Sequence, residues 1–161
     1  MKILLLGHGG HGKTSISNLL TEFTGLTCKD SSWAAAEKAV WPFIGHEYPS
    51  LQACFDDRRN RRKEWKDYIK DFNTPDLTRL CREILKEADV YVGLRDIDEY
   101  RACEHLFDLI IYLDASERKP LEPSMEIPFD PQTMIKLDNN GPMSETAESL
   151  IAICREAGLC D

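Results

Sequence analysis

A pattern near the start of the chain could bind the phosphates of a nucleotide. Its residues are Gly7-His8-Gly9-Gly10-His11-Gly12-Lys13-Thr14, followed by Ser15, and they fit G-x-x-x-x-G-K-[ST] at every fixed position. Glycines let consecutive backbone N–H groups turn toward phosphate oxygens, and a helix that begins at the lysine points the positive end of its dipole at the same anion. In this pattern Lys13 reaches the β- and γ-phosphates and Thr14 holds Mg²⁺ through its hydroxyl. Residues 7–15 are therefore candidate nucleotide-binding residues, with Lys13 also catalytic and Thr14 a metal ligand.

Such a loop needs a strand before it and a helix after it. Residues 2–6 predict a buried strand, and Ile16, Leu19, Leu20 and Phe23 have the spacing of a helix over residues 14–23. This order is the context in which the pattern binds phosphate, whereas a chance glycine-rich turn would not require it. Further strands are predicted at 26–29, 89–95, 106–114 and 133–137, with helices between and after them. The alternation predicts an α/β fold with a five-stranded parallel sheet and helices on both faces.

Bulk properties restrict the class of protein. A chain of 161 residues predicts one domain, and a net charge of −8 argues against a protein that coats nucleic acid through a general basic field. Any contact with nucleic acid must then be local. The six cysteines form no C-x-x-C pair, which predicts neither a zinc site nor a disulfide framework, and reduced thiols in a cytoplasm are expected. Neither a signal peptide nor a membrane-spanning run is expected.

Polar residues follow the predicted second and third strands. Ligands of open parallel sheets bind outside the carboxyl ends of the strands, so Asp30, Ser31 and Ser32 should face the same crevice as the phosphate loop, and so should Arg95. Asp30 is a candidate base for a hydroxyl acceptor; it could equally cap the helix predicted to start at Trp33, and the two roles can coexist. Asp96 and Asp114 also lie near strand ends and could assist Mg²⁺ through water, and the sequence does not choose between them.

Periodicity sorts the charges of a helix predicted over residues 49–72, after an aromatic loop at 41–49. At 100° per residue, two arginines share a stripe with apolar residues; this stripe comprises Arg58, Arg62, Trp65, Ile69 and Phe72. A second stripe, which comprises Arg59, Lys63, Lys66 and Lys70, is expected to face outward. Arg58 and Arg62 are predicted to bind a phosphate, with structural ion pairs as the alternative. For the second stripe, the alternative to a phosphate-binding ridge is an ordinary solvated face.

Residues 115–131 contain four prolines and no helical period. A short lid that covers the phosphates with Arg118 and Lys119 is one interpretation, and a plain surface connection is the other.

The absence of certain motifs narrows the range of possible reactions. The chain has no N-K-x-D guanine-binding motif and no D-x-x-G switch after the third strand, and it is too small for a motor with its accessory elements. What remains is a small phosphotransferase, in which catalysis is mostly positioning and charge neutralisation. Lys13, Arg58, Arg62 and Arg95 would supply the positive charge.

Four segments together carry a resemblance to a known family. They are the phosphate loop, the run Asp57-Arg58-x-Asn60-x-Arg62-x-x-Trp65, the strand Tyr91-Val92-Gly93-Leu94-Arg95 and the turn Asp138-Asn139-Asn140-Gly141. The chain resembles, nearly from end to end, the small phage-encoded kinases of the thymidylate and deoxynucleoside monophosphate kinase superfamily. Within it, the chain is most similar to DNA kinases that phosphorylate 5-hydroxymethyluracil in the polymer, a step in thymidine hypermodification.

The resemblance implies a three-layer P-loop kinase fold with a helical acceptor-binding region at about 31–88 and a lid loop at about 115–131. It implies ATP, Mg²⁺ and the cytoplasm of a phage-infected bacterium, without a membrane partner. Arg118, Asn139 and Asn140 would help bind ATP. Ser31, Ser32, Trp33, Arg58, Arg62 and Trp65 would bind the acceptor.

Two other functions remain open. A deoxynucleoside monophosphate kinase would use Arg58, Arg62 and Arg95 to hold the phosphate of a free nucleotide, and a regulatory module would bind a nucleotide without turnover. A DNA kinase should need its base outside the stack, where an aromatic side chain could pack on it; the candidates are Trp33, Trp41, Phe43 and Trp65.

Overall fold

The computed structural model describes all residues from Met1 to Asp161, and a five-stranded parallel sheet forms its centre. The strands are β1 (Ile3–Gly7), β2 (Cys28–Asp30), β3 (Val90–Val92), β4 (Leu109–Asp114) and β5 (Ile135–Asp138). Their spatial order is β2-β3-β1-β4-β5, with β1 between β3 and β4, so that Leu5 pairs with Val92 on one side and Ile111 on the other. The predicted parallel sheet of five strands is confirmed.

Eight α-helices surround the sheet. They are α1 (Lys13–Thr24), α2 (Ser31–Ala35), α3 (Trp41–Ile44), α4 (Leu51–Asp56), α5 (Arg62–Phe72), α6 (Arg79–Glu87), α7 (Ile97–Cys103) and α8 (Met143–Glu156). A π-helical turn, Ala36–Val40, joins α2 to α3, and 3₁₀ turns lie at Gly45–Glu47, Asp57–Arg61 and Glu104–Leu106.

The alternating side chains of β1 enter two separate cores. Ile3 and Leu5 pack in a cluster that also contains Ile16 of α1 and Leu150 of α8. Leu4 and Leu6 belong to the opposite cluster, which contains residues of α6 and α7. All five residues of β1 are buried, as is typical of a parallel strand covered by helices on both faces. The predicted three-layer arrangement is therefore confirmed.

The aromatic segment at 41–49 is not the loop that the prolines suggested. Its first residues form α3, and Pro42 lies in the first turn of α3, directly after the π-helical turn Ala36–Val40. The Trp41 ring lies close over Gly45, where an added Cβ would come within 2.7 Å of ring atom Cδ2. The loop predicted over 41–49 is therefore wrong for its first four residues, which are helical.

The continuous helix predicted over 49–72 is also wrong, because the chain leaves α-helical geometry at Asp57–Arg61. The Asp57 carboxylate accepts hydrogen bonds from Tyr48 Oη at 2.6 Å and from Asn60 Nδ2 at 2.7 Å. Arg58 Nη1 donates to the carbonyl oxygen of Phe55 at 3.0 Å. Local bonds of this kind compete with the regular helical ladder. Angles counted at 100° per residue therefore do not carry across residues 57–61.

Candidate active site

An open cleft of about 1520 Å³ lies at the carboxyl ends of β1, β2 and β3. The phosphate loop after β1, the Asp30–Ser32 segment after β2 and the Gly93–Asp96 segment after β3 all line it. Residues of α5 form a further wall. This is the edge at which open parallel sheets bind ligands, and strand order reverses there, between β1 and β3.

The phosphate loop has the backbone that its glycines predict. Gly10 and Gly12 have φ values of +76° and +101°, in the left-handed region that favours glycine. At Gly12 an added Cβ would also stand 2.6 Å from Asn139 Nδ2, so this position excludes a side chain. Lys13 begins α1, which directs the N-terminus of a 12-residue helix at the cleft.

Lys13 closes the loop on itself. Its Nζ donates to the carbonyl oxygens of Gly7, at 2.7 Å, and His8, at 2.9 Å. Burial, followed by the nearby charge of Arg95, lowers the pKa of Lys13 to about 8. The ammonium group thus lies inside the turn of the loop, against its carbonyl oxygens.

A carboxylate already occupies one of the anion-binding positions. Gly9 N donates to Glu122 Oε2 at 2.8 Å, and Arg95 Nη1 donates to Glu122 Oε1 at 2.5 Å. Burial works against ionisation, but hydrogen bonds from Ser124 and the Gly9 amide, together with Arg95, lower the pKa of Glu122 below its usual value. An anion therefore fits this loop, which is the property that binding of a nucleotide phosphate requires.

The two loop histidines hold the 115–124 segment beside the loop. His8 Nδ1 accepts from Glu122 N at 2.9 Å, and His11 Nδ1 accepts from Ala115 N at 3.1 Å. His11 Nε2 lies 3.1 Å from the Pro120 carbonyl oxygen, which fixes the proton of the neutral ring on Nε2. The sequence does not indicate this role of His8 and His11, because their partners lie more than 100 positions away along the chain.

Three predicted ATP-binding residues lie behind the loop and do not line the cleft. Buried Asn139 donates from Nδ2 to the His11 carbonyl oxygen at 2.9 Å and accepts from Thr146 Oγ1 at 2.9 Å. Arg118 Nε donates to the Asn139 carbonyl oxygen at 2.6 Å, and Asn140 Oδ1 accepts from Glu117 N at 2.9 Å. The geometry makes Asn139 a positioning residue for the loop, and contact of the three with ATP stays a prediction.

The two carboxylate oxygens of Asp30 have different surroundings, and these suit its two predicted roles. Its Oδ1 accepts from the backbone N–H groups of Ser32, at 2.9 Å, and Trp33, at 3.1 Å, and so caps α2. Its Oδ2 makes no hydrogen bond, and Asp30 lines the cleft together with Ser31 and Ser32. Ser31 Oγ donates to the Gly93 carbonyl oxygen at 2.9 Å, which ties the ends of β2 and β3 together.

Five cations line the wall of the cleft that runs along α5 and the turn before it; this cation row comprises Arg58, Arg59, Arg62, Lys66 and Lys70. None of the five makes a salt bridge. The structure thus corrects the outward-facing second stripe, since three of its four members line the cleft and only Lys63 does not. Both predicted stripes lie on this wall, because the cleft spans the two adjacent faces of α5 that carry them. Arg61 makes the structural ion pairs instead, with Glu47 and Glu64.

Of the four aromatic residues predicted as stacking candidates, only Trp65 lines the cleft. Trp33 packs edge-to-face on Phe55 with centroids 5.1 Å apart, and Phe43 stacks on Tyr68 at 5.3 Å. The roles predicted for Trp33, Trp41 and Phe43 therefore have no place in the cleft.

The two candidate carboxylates for Mg²⁺ lie in different surroundings. Asp96 lines the cleft with Thr14 and caps α7 by accepting from Glu99 N at 2.9 Å. Asp114 does not line it, and its carboxylate lies 3.8 Å from Lys136 Nζ. No group of three or more acidic, histidine or cysteine side chains is arranged to hold a metal by itself. Oxygen donors that suit Mg²⁺ are nonetheless present in the cleft, from Thr14, Asp30 and Asp96.

No helix is both long and apolar enough to cross a membrane. No protein-family model and no curated protein matches the sequence.

Solved structures share the fold at low sequence identity. TT1252 from Thermus thermophilus has a TM-score of 0.56 at 16% identity, over 97% of this chain and 97% of the other. A gluconokinase from Sinorhizobium meliloti 1021 has a TM-score of 0.53 at 16% identity, over 94% of this chain and 89% of the other. Shikimate kinase from Aquifex aeolicus has a TM-score of 0.51 at 16% identity, over 99% of each chain. The chain therefore has the three-layer α/β fold of P-loop kinases.

Proposed function

We propose that this protein is an ATP-dependent kinase that phosphorylates the hydroxymethyl group of 5-hydroxymethyluracil in DNA. The observation that carries the proposal is the unpaired cation row in the same cleft as the phosphate loop. The fold and the motif support a phosphotransferase in general. The cation row and the family resemblance support a polyanionic acceptor in particular.

The loop residues 7–15 would hold the triphosphate of ATP as a substrate, with Lys13 at its β- and γ-phosphates. The Thr14 hydroxyl would hold Mg²⁺, with Asp96 as the carboxylate on the cleft side. The metal supplies charge neutralisation at the transferred group. Arg95 stands at the loop in contact with Glu122 and would bind the transferred phosphoryl group once that carboxylate is displaced.

Asp30 would act as the base. Its free Oδ2 accepts the proton of the hydroxymethyl group while the hydroxymethyl oxygen bonds to the γ-phosphorus and the bond to the ADP oxygen breaks. The cap bonds to Oδ1 keep the carboxylate fixed during this step. A fixed base lowers the reorganisation that the reaction requires.

The length of the cation row supports a polymer over a single nucleotide. Arg62 and Lys70 are eight residues apart in α5, which corresponds to about 12 Å along the helix axis. One strand of duplex DNA carries a phosphate about every 3.4 Å along its axis, so this length matches about three to four phosphates. A monophosphate would occupy one cation site and leave the others unpaired.

Nucleoside mass analysis tests the proposal. Incubation of the protein with ATP, Mg²⁺ and DNA that contains 5-hydroxymethyluracil should yield a phosphorylated hydroxymethyldeoxyuridine after digestion. Unmodified thymine DNA serves as the matched control. Phosphate transfer to free deoxynucleotides, with none to the modified DNA, would contradict the polymeric acceptor.

A deoxynucleoside monophosphate kinase is the second candidate, because Arg58 and Arg62 line the cleft without ion pairs and could hold one acceptor phosphate. In that case charge removal at Lys70 should leave turnover unchanged, whereas the DNA kinase should bind its acceptor more weakly. A module that binds nucleotide without turnover would show no activity that depends on Lys13.

A further inference from the structure

One member of the cation row differs from the others in its surroundings. Arg58 is half-buried, whereas Arg59, Arg62, Lys66 and Lys70 are exposed. An exposed lysine or arginine loses much conformational freedom when it is fixed on a ligand, and this loss weakens the binding that it provides. A side chain that is already held in place loses less. Arg58 is therefore the member of the row best suited to bind an anion at a defined position.

Two contacts with a single residue, Phe55, hold the Arg58 side chain. The guanidinium carbon Cζ lies over the Phe55 ring, 4.0 Å from the ring centroid. Arg58 Nη1 donates a hydrogen bond to the Phe55 carbonyl oxygen at 3.0 Å. The ring face attracts the cation, and the carbonyl oxygen takes one of its donors. Together the two contacts fix both the position and the orientation of the guanidinium group.

The Phe55 ring is itself supported from two sides. Trp33 packs edge-to-face on it with centroids 5.1 Å apart, and Phe55 also packs against the buried cluster that contains Cys54. Trp33 N donates to Asp30 Oδ1 at 3.1 Å. The start of α2 that fixes the Asp30 carboxylate therefore also supports the ring on which Arg58 lies, so the predicted base and this arginine are held by one connected set of contacts.

The other donors of Arg58 have no acceptor in the protein. A guanidinium group carries N–H donors on Nε, Nη1 and Nη2, and only Nη1 of Arg58 makes a hydrogen bond. Arg58 and Phe55 both line the cleft, so a ligand in the cleft can reach this half-buried group. The planar fork of arginine matches the oxygens of a phosphate group in pairs. The free donors therefore suit a phosphate.

A second arginine makes the same pair of contacts away from the cleft. Arg79 Cζ lies 4.0 Å from the Phe72 ring centroid, and Arg79 Nη1 donates to the Phe72 carbonyl oxygen at 3.3 Å. Neither Arg79 nor Phe72 lines the cleft. What distinguishes Arg58 is thus its place in the cleft rather than the contact itself, and the second pair provides a matched control.

We propose that Phe55 is a positioning residue, which holds the Arg58 guanidinium so that its free N–H donors bind a phosphate of the acceptor. The proposal rests on the function proposed above, in which the acceptor carries phosphate groups, and deepens it by naming the residue that fixes one of the phosphate contacts. The exposed cations of the row would attract the strand. Arg58 would set its position relative to Asp30.

A titration with inorganic phosphate tests this role without DNA or turnover. The Nε–Hε signal of Arg58 would be followed by NMR in the wild type, Phe55→Leu and Phe55→Tyr. In the wild type this signal should lie upfield of those of exposed arginines, because the guanidinium lies over an aromatic ring, and it should move as phosphate binds. Phe55→Leu should raise the half-saturating phosphate concentration about fivefold, whereas Phe55→Tyr, which keeps the ring, should stay within about twofold.

Phe72→Leu is the matched control. It removes the same kind of ring from under Arg79, outside the cleft, so phosphate binding at Arg58 should not change. Thermal unfolding of each variant shows whether it is folded. If Phe55→Leu does not fold, the position of the wild-type Arg58 signal and its response to phosphate still test the proposal.

Steady-state kinetics with modified DNA provide a second readout. Phe55→Leu should raise KM for the DNA about fivefold and leave kcat and KM for ATP unchanged, because the lost contact is to a phosphate that does not react. Phe55→Tyr should restore the KM of the wild type. A general loss of structure would lower kcat as well.

Three results would overturn the proposal: a wild-type Arg58 signal that does not respond to phosphate, unchanged phosphate affinity in Phe55→Leu, or equal weakening by Phe72→Leu. The outcome is separable from that of the proposed function. If modified DNA is phosphorylated while Phe55→Leu binds phosphate normally, the positioning role is refuted and the kinase stands. If phosphate binding at Arg58 depends on Phe55 but modified DNA is not phosphorylated, the positioning role stands and the DNA kinase is refuted.

Discussion

The phosphate loop and the cation row of the same cleft differ in how their polar groups are satisfied. At the loop, Lys13 binds carbonyl oxygens of the loop itself, both histidines bind the 115–124 segment, and the Glu122 carboxylate accepts from the Gly9 amide. Along α5, the five members of the cation row lack a carboxylate partner, and Trp65 Nε1 lacks any hydrogen-bond partner. Under the proposed function, the donor half at the loop is thus closed by internal contacts, whereas the acceptor half at the cation row presents unpaired groups to its ligand.

The phosphate loop and the cation row therefore differ in what a ligand must do when it binds. Internal contacts hold the loop in its present conformation, and under the proposed function ATP must displace some of them when it binds. Unpaired cations need no displacement, and their mutual repulsion adds to their attraction for a polyanion. ATP binding should therefore respond to changes in the protein's own contacts, and acceptor binding should respond mainly to salt.

Loss of the Lys13 ammonium group should have the largest effect. Lys13→Ala is expected to lower kcat/KM about 1000-fold, because one charged donor to the transferred group is lost. A coupled assay of ADP release would measure it. Lys63→Ala is the control, since Lys63 is exposed and does not line the cleft. Activity of Lys13→Ala within tenfold of the wild type would contradict the role of the loop.

Asp30→Asn separates the two roles of Asp30. Asparagine caps a helix about as well as aspartate, so the free energy of unfolding should change little. Loss of the base should nevertheless lower kcat about 100-fold or more. Steady-state kinetics together with urea unfolding would check both values. A variant that is destabilised but turns over normally would leave Asp30 with the cap role alone.

Glu99 should make stability depend on pH. Because burial raises its pKa to about 7 from 4.5, the native state keeps a proton that the unfolded state loses in this window. The wild type should therefore lose up to about 3 kcal/mol of unfolding free energy relative to Glu99→Gln as the pH rises from 4.5 to 7. Urea titrations of both proteins at pH 5 and pH 8 measure the difference. Parallel pH profiles would show that Glu99 titrates normally.

The cation row should determine the salt dependence of acceptor binding. Each phosphate contact to a single strand contributes about −0.7 to the slope of log K against log salt. Arg62→Ala with Lys66→Ala should therefore reduce the magnitude of that slope by about 1.4, measured by fluorescence anisotropy with a labelled oligonucleotide. Lys63→Ala again serves as the control and should leave the slope unchanged. An unchanged slope in the double variant would place the DNA elsewhere.

Glu122→Gln should have the smallest effect and the opposite sign. Without its charge, the side chain competes less with a phosphate for the Gly9 amide and Arg95, so ATP should bind about fivefold more tightly. Glu126→Gln is the matched control, because Glu126 also lines the cleft but accepts from Ile97 N instead. Calorimetric titration with a non-hydrolysable ATP analogue measures the affinity of both variants and of the wild type. Equal affinities of Glu122→Gln and the wild type would mean that the Glu122 carboxylate does not compete with the nucleotide.

The parts of the protein that local sequence determines could be predicted, and long-range contacts could not. The phosphate loop, the parallel sheet and the helices on both faces follow from motif and periodicity. The break at Asp57–Arg61 depends on Tyr48, and the cleft that spans both charged stripes exists only in the folded chain. The pairing of His8 and His11 with residues 115–122 and the isolation of Glu99 arise only from the folded arrangement. No local pattern distinguishes Asn139 behind the loop from a residue that contacts a nucleotide.

Phosphate transfer to oligonucleotides of increasing length is the most direct test of the division between donor and acceptor halves. The acceptors would each contain one 5-hydroxymethyluracil, in single strands of one, three, six and twelve nucleotides, with kcat/KM measured at two salt concentrations. We expect kcat/KM to rise with length until the strand covers the cation row, the rise to be lost at high salt, and KM for ATP to be the same throughout. A kcat/KM that is highest for the single nucleotide and insensitive to salt would contradict it.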